Sequence, residues 1–248
     1  MIEAGGCLMI YGLVGFVALG MAVYAQQKRP SDEFSTNAGS VKITFIRHAS
    51  LMLEAGGQVI HVDPWSQGNY DGLPKADLLL LTHTHADHLD VTMVNHLQKT
   101  GTVIIGPGAV AKQLPGTTVM KNGETRQIGL FTIEAVPMYN LTRGPSPGAV
   151  YHPKGNGNGY VLSFGGYRFY ISGDTENIPE MRALKDIDVA FVCMNLPYTM
   201  SVGEAAEAVR AFHPKIVYPY HYRGSDLSVF AKALSGSGIE VRLRDWYY

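Results

Sequence analysis

His83-Thr84-His85-Ala86-Asp87-His88 packs three imidazoles and one carboxylate into six residues. Directly before it runs Asp77-Leu78-Leu79-Leu80-Leu81-Thr82, an unbroken apolar segment that predicts a buried strand. The polar cluster therefore leaves the end of a core strand, where a rigid scaffold meets solvent. In α/β proteins that is where open sites form. A lone histidine in such a place is commonly a surface residue. Four ligand-capable side chains together point instead to a metal site.

Composition narrows the function classes. The chain has 248 residues, a charged fraction of 17% and a formal net charge of −1, so it presents no excess of basic residues for nucleic acid. Its 28 glycines and 13 prolines suit a sheet-rich protein with many tight turns, and 2 cysteines exclude a disulfide-stapled fold. Cys193, inside Val189-Ala190-Phe191-Val192-Cys193, reads as a buried, inert thiol.

The N-terminus carries a separate signal. From Cys7 to Ala25 the chain is apolar and uncharged, and Val23-Tyr24-Ala25 places small residues where cleavage after Ala25 needs them. This pattern reads as a secretory signal peptide, which implies a periplasmic or secreted protein. The alternative is an uncleaved membrane anchor. Glu3 precedes the run where a signal peptide has Lys or Arg, and Lys28 and Arg29 follow it on the side that the positive-inside rule assigns to the cytoplasm. A buried core helix is the third reading.

Residues 26–40 are polar, with Pro30, Asp32, Asn37 and Gly39, and read as a linker, so residues 41–248 are expected to form the folded domain. Val41 to Ile46 predicts a strand. Leu51 to Glu54, Gly56-Gly57 and Val59 to Val62 predict a hairpin, and so do Tyr160 to Phe164, Gly165-Gly166 and Tyr167 to Ile171. Further strands are expected at 102–105, 129–136, 189–194 and 215–218, with an edge strand at 239–243. Helices are expected at 90–97, 202–212 and 226–234. The second of these has Ser201 as its cap and Glu204 three residues on. The front and back halves look broadly alike.

Three later segments repeat the placement of a ligand beyond a strand or in a loop. Asp174 follows Tyr170-Ile171 within Ser172-Gly173-Asp174-Thr175, His221 follows Ile216 to Tyr220, and His152 lies in a Gly/Pro-rich loop. Zinc accepts both histidine nitrogen and aspartate oxygen. Two ions close together need a bridging carboxylate, and Asp174 is the natural candidate. A turn-capping Asp and a packed His are the plainer readings of Asp174 and His221 taken singly.

With these residues in view, His-x-His-x-Asp-His after a hydrophobic strand, a later Gly-Asp-Thr and a late His after Pro-x resemble the metallo-β-lactamase superfamily. Within it the chain is similar to the group of ascorbate-6-phosphate lactonases and related small metal-dependent hydrolases. The resemblance covers residues 41–248 and implies an α/β, four-layer αββα sandwich with the site at one edge between two sheets. It also implies that His83, His85 and one further His bind a first metal, that Asp87, His88 and His221 bind a second, and that Asp174 bridges them. One position departs from the pattern: where relatives carry a His after the strand ending near Pro137, this chain reads Met138-Tyr139-Asn140. Either His152 reaches back as the missing ligand, or Asn140 or water takes its place. His48, in Arg47-His48-Ala49, resembles a family residue that lines the cleft or orients a ligand. Asp63, in Asp63-Pro64-Trp65, resembles the carboxylate that fixes the tautomer of a ligand His.

The implied activity is hydrolysis of an ester-type bond in a phosphoester, phosphodiester or lactone. Water activated between two zinc ions would be the nucleophile, with manganese or iron as alternative metals. Asp87, His88 and Asp174 are the expected catalytic residues. Tyr139, Tyr220, Tyr222, Lys154 and Arg223 lie close in sequence to the ligands, and any of them could hold an anionic group of a small-molecule substrate; Trp65 could wall the cleft. Two other classes stay open: a binding or structural protein with a vestigial metal site, and an iron-dependent oxidoreductase. Oligomeric state is not encoded in any motif.

Overall fold

Strand after strand in this chain buries one face or both, and the two sheets that result must cover each other. The computed structural model describes residues 1–2 and 29–248. The apolar run from Cys7 to Ala25, read above as a signal peptide or anchor, lies outside the described residues. Among those described, no helix is long and apolar enough to cross a membrane.

The first sheet contains β1 (Ser31–Thr36), β2 (Gly39–Arg47), β3 (Ser50–Ala55), β4 (Gln58–Val62), β5 (Leu78–Leu80), β6 (Val103–Gly106) and β7 (Thr118–Val119), in that spatial order. The second contains β8 (Thr125–Ile128), β9 (Phe131–Met138), β10 (Gly157–Phe164), β11 (Tyr167–Ile171), β12 (Val189–Cys193), β13 (Ile216–Tyr220) and β14 (Glu240–Val241). Each begins as an antiparallel meander, β1 to β4 and β8 to β11, and each continues as parallel strands. The likeness of the two halves is thus a likeness of topology.

Side-chain alternation sorts the layers. Ile43, Phe45, Leu51 and Leu53 of the first sheet pack in one core with Phe131, Ile133, Phe169 and Phe191 of the second. The outer face of the first sheet, with Met52, Leu79 and Ile104, is covered by α1 (Val91–Leu97) and α2 (Gly108–Gln113) through Val94, Leu97 and Val110. On the far side lie α3 (Pro179–Arg182), α4 (Val202–Phe212) and α5 (Leu227–Ala233), where Phe212 meets the Tyr170 ring at 5.7 Å. The order helix, sheet, sheet, helix is the expected αββα sandwich. β5 is buried on both faces, which explains its unalternated leucines. α4 has the expected limits, and Ser201 and Glu204 form the full capping box.

The expectation of a linker over residues 26–40 needs correction. Residues 31–36 form β1, in register with β2 from Ser31↔Thr44 to Thr36↔Gly39. Phe34 is its single apolar residue, buried against the rings of Phe169 and Tyr167 at 5.9 and 6.4 Å. Asp32 is gripped from the opposite chain end by the Arg244 guanidinium at 2.7 and 2.8 Å, and it accepts a hydrogen bond from Tyr218 Oη. An edge strand held by one ring and one ion cluster has no apolar alternation to read. The C-terminal segment is likewise more deeply integrated than a sheet edge: beyond β14, Trp246 is wholly buried against Phe45 and Tyr220.

Candidate metal centre

Strand ends from both sheets converge on one edge of the sandwich. The first cluster leaves β5, Asp63 leaves β4, His48 leaves β2, Asp174 follows β11 and His221 follows β13. His48, Asp63 and His221 all have left-handed backbones, with φ of 56°, 41° and 47°. Such conformations cost a non-glycine residue roughly 1–2 kcal/mol. Here they turn a strand's last side chain inward, and neighbouring backbone holds them: His221 N donates to His48 O at 3.0 Å, and Asp63 N donates to Leu80 O at 3.0 Å. Before Asp174, Gly173 has φ 61°, and a Cβ there would meet Met138 Sδ at 2.6 Å, so the position favours glycine. The two sheets are stitched beneath the cluster, where Asn158 N donates to Thr82 O at 2.9 Å and Tyr160 Oη donates to Leu81 O at 2.8 Å.

The seven residues predicted from sequence as ligands meet here, together with His48. Their atoms fall into three overlapping groups, each within 4.8 Å: His83, His85 and His152; His83, His88 and Asp174; and His48, Asp87, His88 and His221. In the first, His85 Nδ1 lies 3.1 Å from His83 Nε2 and 3.1 Å from His152 Nε2. Asp174 spans the groups. Its Oδ2 is 3.5 Å from His152 Nε2 and 3.4 Å from His221 Nε2, while its Oδ1 is 3.4 Å from His88 Nε2. Asp87 Oδ2 is 3.6 Å from His221 Nε2.

The hydrogen bonds behind the cluster settle which nitrogen carries each proton. Thr82 Oγ1 donates to Asp63 Oδ2 at 2.6 Å, so it can only accept from His83 Nδ1 at 3.0 Å. Asn140 donates through Nδ2 to Glu176 Oε1 and Tyr198 O, leaving its Oδ1 to accept from His152 Nδ1 at 2.6 Å. His88 Nδ1 donates to Asp63 Oδ2 at 2.7 Å. In the neutral rings, the Nε2 lone pairs of His83 and His152 face inward. Lone pairs cannot satisfy one another. His88 Nε2, Asp174 Oδ1 and both ring nitrogens of His221 are buried without a hydrogen-bond partner. Nitrogens on a tetrahedral ion at about 2.0–2.1 Å sit roughly 3.3 Å apart, close to the spacing around His85. The donor set therefore fits a metal and fits little else.

Electrostatics agree. Burial pushes His152 down to about 4 and His83 well below the usual histidine range, keeping both neutral and ready to coordinate. Burial opposes the charge of Asp174, yet His221, His88 and His83 outweigh it and hold its carboxyl far below the usual range. Asp87 behaves alike: burial opposes it, and the neighbouring His221, His48 and His88 rings prevail. His88 is the exception among the rings, because Asp174 and Asp63 overcome the burial penalty and raise it.

His48 stands beside the cluster. Burial lowers it to about 4, so it is neutral, and its Nε2 donates to Asp87 Oδ2 at 3.0 Å. Its Nδ1 then accepts from Tyr247 Oη at 2.7 Å. In this arrangement His48 orients Asp87, as expected from its place in the sequence. Asp63 supports His88, also as expected. Asn140 does not face the cluster with a free oxygen; its amide positions His152 instead, whose Nε2 lies beside His85.

Three cleft expectations need correction. The cleft before the cluster, about 650 Å³, is walled by Trp65, Tyr151, Asn195, Tyr198 and Arg223. Tyr139, Tyr220 and Tyr222 do not line it. Tyr139 donates to Glu180 Oε2 at 2.9 Å beneath Lys154, which itself pairs with Glu180. Tyr220 is wholly buried between the sheets beside Phe191. Tyr222 donates to Arg244 O at 3.0 Å and backs the ring of Tyr247. Each is close to a ligand along the chain, but its side chain leaves the strand or loop in another direction. Sequence reasoning missed Thr82, Glu176, Tyr151, Asn195, Tyr198 and Tyr247. Thr82 and Glu176 abut the two ligand motifs and were within reach. Tyr247 is 199 residues from His48 and carries no local signal.

Comparison with known proteins accords with this geometry. The beta-lactamase superfamily domain matches residues 42–221. A UPF0173 metal-dependent hydrolase of Carboxydothermus hydrogenoformans is 31% identical over 220 residues, covering 82% of this chain and 96% of that one. A solved structure from Parabacteroides distasonis, assigned to the metal-dependent hydrolases, is 48% identical with a TM-score of 0.83, covering 88% of this chain and 99% of that one. CmlA, a diiron beta-hydroxylase from Streptomyces venezuelae, shares the fold at 20% identity and a TM-score of 0.60, covering 87% of this chain and 53% of that one.

Proposed function

The chain belongs to the metallo-β-lactamase superfamily and is a metal-dependent hydrolase, and we propose that it works through a dinuclear zinc centre on an ester-type bond of a small molecule. His83, His85 and His152 would hold one ion, Asp87, His88 and His221 the other, and Asp174 would reach both. The observation that carries this reading is the convergence of the His83 and His152 lone pairs on His85 Nδ1, beside the partnerless His88 Nε2, Asp174 Oδ1 and His221.

Bound in this cradle, a pair of divalent ions supplies Lewis acidity and brings the pKa of water toward neutrality. The protein's own groups do the rest. Asp87, steadied by His48, accepts a hydrogen bond from the attacking water and aims it. Asp63 and Asn140 keep the His88 and His152 rings in the tautomer that presents a lone pair. The open cleft admits a small molecule, and the near-zero net charge offers no basic face to nucleic acid. Phosphoesters, phosphodiesters and lactones all suit this arrangement. An apolar leader ending at Ala25 supports export to the periplasm or beyond, or anchoring if the leader is kept.

The test is reconstitution. Metal-free protein should hydrolyse nothing in a panel of phosphoesters, phosphodiesters and lactones, and stoichiometric zinc should restore turnover. Restoration by iron alone, with oxygen consumed, would favour the oxidoreductase reading, for which the fold shared with the diiron enzyme CmlA is the supporting observation. Tight metal binding with no turnover across the panel would favour a vestigial site.

A further inference from the structure

The cleft has a polar floor, aromatic walls and one cation. Trp65 stands on one side, its ring 5.4 Å from that of His48. Tyr151 and Tyr198 form an edge-on pair at 5.1 Å, and Tyr198 is 46% exposed although it is aromatic. Arg223 is the only lysine or arginine among the lining residues, and it also lines a second depression of about 260 Å³ beyond the cleft, next to Leu196. Among the described residues its guanidinium makes no hydrogen bond or ion pair, whereas Arg143, Arg168, Arg242 and Arg244 are each matched to a carboxylate. An unmatched guanidinium in the cleft wall is a placed charge: no ion pair joins it to Asp87 or Asp174, which line the same cleft. A guanidinium fork matches a planar oxyanion, and aromatic walls match an apolar body.

We propose that the substrate is an anionic amphiphile: an ester or lactone whose aryl or acyl portion lies between Trp65 and the Tyr151–Tyr198 pair, and whose carboxylate or phosphate pairs with Arg223. This assignment of substrate class rests on the hydrolase reading above. Arg223 then fixes which end of the substrate faces the ligand cluster. A neutral ester of equal length has no such orientation, so the preference is written in KM.

The experiment uses the metal-loaded full chain and two chromogenic esters of matched length, 4-nitrophenyl valerate and mono-4-nitrophenyl glutarate. Wild type should favour the glutarate by about tenfold in kcat/KM, the size of one charge-assisted hydrogen-bond pair. In Arg223→Gln that preference should collapse through KM with metal content unchanged, and Arg223→Lys should restore part of it. Equal losses on both esters, or no preference in wild type, would overturn the proposal. A binding arm separates this from failure of the hydrolase reading. Trp246 is wholly buried, so ligand-induced fluorescence change reports Trp65, the other of 2 tryptophans. 4-Phenylbutyrate should bind about tenfold more weakly to Arg223→Gln, whether or not any ester is turned over. Equal binding to both proteins would discard the assignment even if hydrolysis is robust.

Discussion

Asn140 and His152 show how an imidazole reaches the cluster from a distant loop of the chain. The amide oxygen accepts hydrogen bonds from both His152 N and Nδ1, at 2.8 and 2.6 Å, and Glu176 holds the amide from behind. Asn140→Ala should therefore leave the ring free to rotate and weaken metal binding by about 10- to 100-fold, read by chelator competition. Tyr247→Phe removes the donor to His48 Nδ1 and frees the ring to change tautomer. The expected result is a fall in kcat with KM and metal content kept, checked on the best ester of the panel. The clustering residues were legible because metal chemistry admits few residue types and most of them leave strands in short motifs. The choice between His152 and Asn140 was not legible, because it depends on where a Gly/Pro-rich loop folds back. Tyr139, Tyr220 and Tyr222 misled because nearness along the chain says nothing about the direction of a side chain.

Elements built on alternation or on caps were readable, including α4 with its box, both glycine hairpins and the leucine strand that launches the first cluster. β1 was not, since its stability comes from residues far away in sequence. Phe34→Ala should cost about 3 kcal/mol in urea unfolding, within the usual range for a buried aromatic. A loss under about 0.5 kcal/mol, typical of an exposed position, would return residues 26–40 to the status of a linker. Asp32→Ala strips Arg244 and Tyr218 of their shared acceptor and should cost about 1–2 kcal/mol, read the same way. This clamp joins the first strand to the C-terminal segment that carries Tyr247, so the edge of the sandwich and the rim of the site are one structure.

On the scale of the whole molecule, acid should loosen the metal-free protein before it reaches the carboxylates. His61 is buried with Nε2 donating to Pro74 O at 3.0 Å, and burial lowers it to about 4. The unfolded chain binds its proton at the ordinary value of 6.5, so His61 supports folding above that pH. The support is lost as pH falls from 6.5 to about 4, at a cost of up to about 3 kcal/mol. His48 and His152 act in the same direction. Urea midpoints should fall over that interval, and His61→Gln should flatten the slope; an unchanged slope would mean that His61 is not buried as described. The central claim, that two sheets bring seven residues together to hold two metal ions, is tested most directly by metal stoichiometry. Inductively coupled plasma mass spectrometry on wild type and His152→Ala, each after saturation with zinc and desalting, should find about two ions per chain in the first and about one in the second. No more than one ion in fully active wild type, or two retained by His152→Ala at unaltered affinity, would contradict it.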